Sequence, residues 1–257
     1  MPSLPACTSI MVSVDLEPEA DNRIKLAADL AGRFSSRLIG VAAQDILPPL
    51  YFAYPAEGVA SPTELSERRA TEALAKAEAA FRRSASSAKS VEWRSAVAPP
   101  LAHLLEHSRA ADLIVVSRWT SSGPNLDPMR VDAGDLVMEA GRPVLVVPPK
   151  VDRLPMRRIL IGWKDTREAR RAVWDSLALL GQAEEVFVVA VDAHDTGAKD
   201  ACAYLNQHGI AARHYVRPHP AGSAADALRR NAASALASAS VARRSESSVG
   251  LATPSAG

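Results

Sequence analysis

Two cysteines, Cys7 and Cys202, are all that 257 residues contain. They are too few and too far apart for a disulfide framework or a metal pair. Both read as small apolar residues that happen to be thiols. Neither sign of charge is in excess: 30 Lys and Arg stand against 29 Asp and Glu, so electrostatics does not select nucleic acid as a partner. No apolar run reaches the roughly 18 residues that span a bilayer. The N-terminus lacks a basic region followed by an apolar stretch, so no secretory signal is expected. Neither a Walker A sequence nor a Gly-x-Gly-x-x-Gly fingerprint occurs. His194-Asp195 is not accompanied by a Ser or Cys in an elbow motif. Aromatics are 5% of the chain, and Trp93, Trp119, Trp163 and Trp174 are scattered, which suits packing better than base stacking. These absences predict a cytoplasmic protein that binds neither membrane nor nucleic acid.

What the chain does have is a pattern written twice. Ile10-Met11-Val12-Ser13-Val14-Asp15 is an apolar strand leading into an acidic, Ala-rich helix, and Ile159-Leu160-Ile161-Gly162-Trp163-Lys164 repeats it 149 positions on. The same offset pairs Leu38–Ala42 with Phe187–Val191, which predicts two copies in register with no gap. A repeat this long means tandem domains rather than a solenoid. Hydrophobic residues are 47% and charged residues 23%, ordinary for a globular core.

In the first copy, residues 1–150, the helix after Asp15 carries Ile24, Ala27, Ala28, Leu30 and Ala31 on one face. Residues 38–43 form an apolar run without alternation, as expected of a strand covered on both faces. Ile46-Leu47-Pro48-Pro49-Leu50-Tyr51 predicts a long surface excursion. A helix follows over 63–84, then a weaker strand over 90–97 and a helix opened by Pro99-Pro100. Strands over 112–116 and 143–148 bracket a Ser/Gly/Pro loop and a short helix at 135–140. Strands alternating with helices, rich in Val, Ile and Leu, specify a parallel α/β sheet. Ligands in such sheets bind outside the carboxyl ends of the strands, where strand order reverses. Asp15, residues 42–44 and residues 117–123 fall on that rim.

The second copy, residues 151–230, gives a strand over 156–163 and one helix over 166–180 stopped by Gly181. Strands over 185–191 and 210–216 flank a helix over 198–208, and a further helix starts near 224. Lys164 stands where the first copy has Asp15. From about residue 230 the composition turns Ala/Ser/Arg-rich. Residues 231–257 are expected to be a disordered tail, either out-of-frame text or a natural extension. The expected fourth strand, near 234–239, has little apolar to bury, so the second domain is expected to be incomplete.

This arrangement resembles the universal stress protein family in its tandem form. The residues that carry the likeness are Ile10 to Asp15, Ala111-Asp112-Leu113-Ile114-Val115-Val116, Arg142-Pro143-Val144-Leu145-Val146-Val147-Pro148 and, in the repeat, 159–169. The resemblance implies a Rossmann-like fold of the adenine-nucleotide alpha hydrolase type, a role in stress tolerance, and dimerisation, commonly through the fifth strand, here Val144 to Val147. It also implies a pseudo-dimer of the two halves.

Family members that bind ATP carry a glycine signature after the fourth strand, because bare backbone lets N–H groups close around phosphates. Here Ser117 and Thr120 hold its first positions, and Arg130-Val131 stand where Gly and a hydroxyl residue belong, so the signature is absent. What remains of a nucleotide site is Asp15, matching the carboxylate that approaches base and ribose, Val41, matching an adenine contact, and the hydroxyls of Ser117, Thr120, Ser121 and Ser122. The other reading has Asp15 capping the following turn and the serines forming a solvated loop. The leading expectation is a non-enzymatic binding and regulatory module, a homodimer that needs no cofactor. The alternative is an adenine-nucleotide binder, for ATP or AMP, with at most slow ATPase activity through the first domain. His103 and His107 share a helix face at a metal-binding spacing. With no third ligand evident, they read as a solvated or capping pair.

Overall fold

The computed structural model describes residues 4–46, 61–118, 127–191 and 197–217. The chain divides into two compact units, Pro5–Leu154 and Pro155–Gly257 together with Met1–Leu4.

The first unit has five strands, β1 (Ser9–Ser13), β2 (Arg37–Ala43), β3 (Val91–Ala96), β4 (Leu113–Ser117) and β5 (Val144–Val147). Its helices are α1 (Ala20–Phe34), α2 (Pro62–Ser84), α3 (Pro100–Ser108) and α4 (Ala133–Glu139). All neighbouring strands are parallel, in the order β3-β2-β1-β4-β5. The order therefore reverses between β1 and β4. β1, β2 and β4 are apolar and buried almost throughout because helices cover both faces. Met11, Ile39, Val41, Ile114 and Val116 pack with Leu104 of α3 and Leu136 of α4 on one face.

On the other face Gly40 lets the Phe81 ring of α2 lie directly on β2. A Cβ there would come within 2.8 Å of that ring. Capping fixes where the helices start and stop. Ser61 and Glu64 form a reciprocal capping box ahead of Pro62, and α1 ends where Ser35 turns left-handed at φ 54°. At the amino edge Asp112 accepts from Thr8 N, Thr8 Oγ1 and Ser9 N, pinning the start of β1 to β4.

The second unit contains β6 (Arg158–Trp163), α5 (Arg167–Asp175), α6 (Leu177–Leu180), β7 (Glu185–Val191), α7 (Ala198–Gln207) and β8 (Ala212–Arg217). Among the described residues its sheet has three parallel strands, β6-β7-β8. Trp163, Val173, Leu177, Val186, Val188 and Leu205 belong to its core. Asn206 ties α7 to β8, its amide bonding both N and O of Ala212.

Two expectations are corrected here. The single helix over 166–180 is two, because at Ser176 the hydroxyl donates back to Val173 O and the backbone flattens to ψ 0°. The repeat also carries a gap. Ile10 pairs with Leu38, yet Ile159 pairs with Val186 rather than Phe187. The offset is 149 positions at β1 and β6 but 148 at β2 and β7. A one-residue shift exchanges the two faces of a strand. Accordingly Val186 and Val188 face the helices, while Phe187 and Val189 pack with Leu160 and Tyr215.

The excursion centred on 47–60, most of the Ser/Gly/Pro loop (119–126), the helix near 224, and the tail 231–257, including 234–239 where a fourth strand would fall, lie outside the described residues. Among the described residues no helix is long and apolar enough to cross a membrane.

Candidate functional site

The rim between β1 and β4 is where the fold would hold a ligand. Three of the sequence-derived candidates meet there or next to it. Asp15 follows β1 and is 1% exposed; Ser117 closes β4 and is 7% exposed; Val41 on β2 is 2% exposed. Val41 O accepts from Val14 N at 2.8 Å, and its side chain belongs to the core beneath α3 and α4. Thr120, Ser121 and Ser122 lie outside the described residues.

The group that brings Asp15 and Ser117 together is Arg23, which sequence reasoning did not single out. It sits in the first turn of α1 and is 1% exposed. Its Nη2 donates to Asp15 Oδ2 at 2.7 Å. Its Nε donates to Ser13 O at 2.8 Å, and its Nη1 donates to Ser117 Oγ. The guanidinium thus bridges the carboxyl ends of both strands at the switch point. Asp15 Oδ1 is used as well, accepting from Glu17 N at 3.2 Å. The signal for Arg23 was present in the helix pattern. Ala20, Leu26 and Ala27 stand three or four residues from it and are buried, so an arginine occupies the apolar stripe. A charge so placed is buried only with a partner.

More acidic groups gather around the pair. Asp127 Oδ2 accepts from Leu16 N at 2.9 Å, and its Oδ1 accepts from Met129 N at 2.8 Å. Burial raises the Asp15 carboxyl above its ordinary range, Arg23 pulls it back, and Asp127 adds to the rise; the net shift is upward. Glu17 is raised too, by desolvation first and then by Asp127 and Asp15. Val131, which the resemblance sets against a hydroxyl residue, is 5% exposed and packs with Leu136. Asp132 caps α4 beside it. Among the described residues this rim offers filled hydrogen-bond positions and clustered carboxylates.

The second unit differs at the matching edge. Lys164 is exposed, and the rim holds a cavity of about 420 Å³ lined by Trp163, Asp165, Arg170, Gly197, Asp200 and Tyr204 among others. Arg170 is engaged with Asp165 at 3.0 Å, with both side chains largely in solvent. Neither cysteine is primed for chemistry. Burial, then the Asp112 carboxylate, push the Cys7 thiol up to about 11, and burial also raises Cys202.

No family model matches the chain, and no curated protein matches it in sequence. In structure it resembles a universal stress protein from Archaeoglobus fulgidus DSM 4304, at a TM-score of 0.55 and 13% identity over 82% of this chain and 77% of that one. A universal stress protein in complex with cAMP matches over 56% of this chain and 98% of its own, at 18% identity and a TM-score of 0.41. Another from Archaeoglobus fulgidus, in complex with dAMP, matches over 55% and 98%, at 20% identity and a TM-score of 0.36. The first likeness shows that the chain has the universal-stress-protein fold. At these identities the likeness extends to fold alone.

Proposed function

We propose that the chain is a non-enzymatic binding and regulatory module of the stress response, whose first unit works without nucleotide. One observation supports this above the others. The buried Arg23 already uses Asp15, Ser117 and the β1 carboxyl end, the groups a ribose or phosphate would need. A nucleotide entering there must displace a guanidinium that makes three hydrogen bonds, and must leave Asp15 without its counter-charge. The surrounding carboxylates of Glu17 and Asp127 oppose a triphosphate as well.

The alternative, an ATP or AMP binder with at most slow ATPase activity through this unit, draws on Asp15 holding its place at the strand end. Titration of the full chain with fluorescent ATP separates the two. The unmodified protein is expected to give no saturable signal. Micromolar saturation that Asp15→Ala abolishes would overturn the proposal, and multi-turnover phosphate release would promote the ATPase reading. Homodimer formation through β5, the last strand in the sheet order, belongs to the same proposal. Size exclusion with light scattering checks it.

A further inference from the structure

A second cluster lies away from the rim, on α3. Pro100 opens this helix and Leu104 anchors it in the core. Helical spacing then stacks His103 with His107 one turn on, and Glu106 stands three residues from His103. The two rings meet edge to face with centroids 4.5 Å apart. One ligand atom from each of His103, Glu106 and His107 lies within 4.8 Å of the other two. His103 is 8% exposed, and its Nε2 is buried without a hydrogen-bond partner. A buried ring nitrogen left unpaired costs free energy that an unseen partner would recover.

We propose that His103, Glu106 and His107 bind a divalent transition-metal ion, with zinc the best fit. Two imidazoles and one carboxylate suit zinc, nickel or copper better than magnesium or calcium, which prefer oxygen alone. Zinc–ligand distances of about 2.0–2.2 Å require the three atoms to close further. Glu106 is exposed and His107 half-buried, so both have room to turn towards the buried His103. The order His-x-x-Glu-His also occurs in helix-borne zinc enzymes, where the Glu is a base and another ligand comes from elsewhere. Among the described residues no fourth His, Cys, Asp or Glu joins this cluster, so the assignment is to binding and not to catalysis.

Two arginines compete: Arg109 Nη2 lies 3.5 Å from Glu106 Oε1, with both side chains largely in solvent, and Arg94 stands against His107. Arg94 Nη1 lies 3.2 Å from His107 Nδ1, and a guanidinium beside the site repels a cation. Glu92 offers it another place, bonded to Arg94 Nε at 2.7 Å, so the ion can displace Arg94 from the ring without stranding its charge.

The test uses the full chain, freed of metal with a chelator and titrated with zinc chloride by calorimetry. Cobalt absorption serves as the readout of coordination. A single ion per chain should bind at micromolar or tighter affinity. His107→Ala should weaken it about tenfold or more, and Glu106→Gln less. Arg94→Gln should tighten it, about threefold to tenfold, by removing a nearby positive charge. Both ligand changes are at accessible positions, and circular dichroism verifies that the variants fold. The proposal fails if zinc at millimolar concentration produces no binding. It fails equally if His107→Ala and Glu106→Gln leave the affinity unchanged, since the ion would then sit on other histidines.

Discussion

In the first unit the carboxyl ends of β1 and β4 are bridged by a buried arginine. In the second, the residue 149 positions on from Arg23 is Ala172, which is exposed, and Lys164 stands in place of Asp15. The first unit has kept the carboxylate and filled the space beside it. The second has Lys164 at the matching position, with Asp165 one residue later, and an open cavity of about 420 Å³ at its rim. On the proposed reading, a carboxylate at a strand end is no sufficient mark of a ligand site. What decides is whether a neighbouring helix already supplies its counter-charge. In this unit α1 delivers that guanidinium to Asp15.

The sharpest way to break this contrast is to empty the first rim. Arg23→Met should cost about 3–5 kcal/mol, the penalty for stranding one member of a buried pair, read as a fall in the denaturant midpoint. Pairing it with Asp15→Leu should recover most of the loss, since no unpaired charge then remains buried. The pH dependence has a definite sign. Asp15 titrates above its ordinary 3.8 in the folded state, so the folded chain holds this proton more tightly than the unfolded one. Its contribution therefore falls as pH rises through that window. With Arg23 gone the carboxyl rises further, and the deficit of Arg23→Met should be smaller at about pH 5 than at about pH 7. Equal deficits at both pH values would show that the guanidinium acts by packing rather than charge.

Much of this architecture was legible in the sequence. Apolar runs without alternation marked β1, β2 and β4, and Ser61-Pro62 marked the start of α2 to within a residue. Of the residues that the glycine spacing concerned, Val131 is placed in the core beside Leu136, while 119–126 lie outside the described residues. Two things were less visible. Arg23 was hidden because a helix pattern is scanned for apolar residues, so a charged intruder on the apolar face passes unremarked unless its burial is asked about. The gap before β7 was hidden because an apolar run such as Phe187-Val188-Val189 scores equally well in either register. Only the helices packed against it decide which side chains face them. Glu106 escaped for a related reason, because metal spacing was sought among histidines alone.

The register gap makes the second test possible. By place in the sheet, Gly40 on β2 corresponds to Val188 on β7, 148 positions on. The two sites pack opposite ways: Phe81 reaches down to a bare backbone at Gly40, while Val188 is itself fully buried. Gly40→Ala should cost about 1–3 kcal/mol by overpacking against the ring. Val188→Ala should cost about 2 kcal/mol by leaving a cavity. If the repeat had run without a gap, position 189 would take the place of 188, and Val189→Ala would disturb the contacts with α5 and α7 instead. Proton chemical shifts of Val173 and Leu205, both in the helix-facing core, tell these outcomes apart.

The smallest expected effect carries the converse of the first test. Ala172→Arg places an arginine where the first unit has Arg23, but on an exposed stretch of α5 and with Lys164 in the position of Asp15. It should change stability by no more than about 0.5 kcal/mol. Adding Lys164→Asp restores both members of the pair in sequence while leaving them in solvent. Exposed ion pairs contribute about 0–1 kcal/mol, so the coupling in a double-mutant cycle should stay within that range. In the first unit Asp15 and Arg23 gain their strength from β4, which walls off the guanidinium and supplies Ser117 as a further acceptor. A coupling well above that range between Lys164→Asp and Ala172→Arg would mean that the second rim buries the pair as the first one does. The contrast between the units would then come down to residue identity alone.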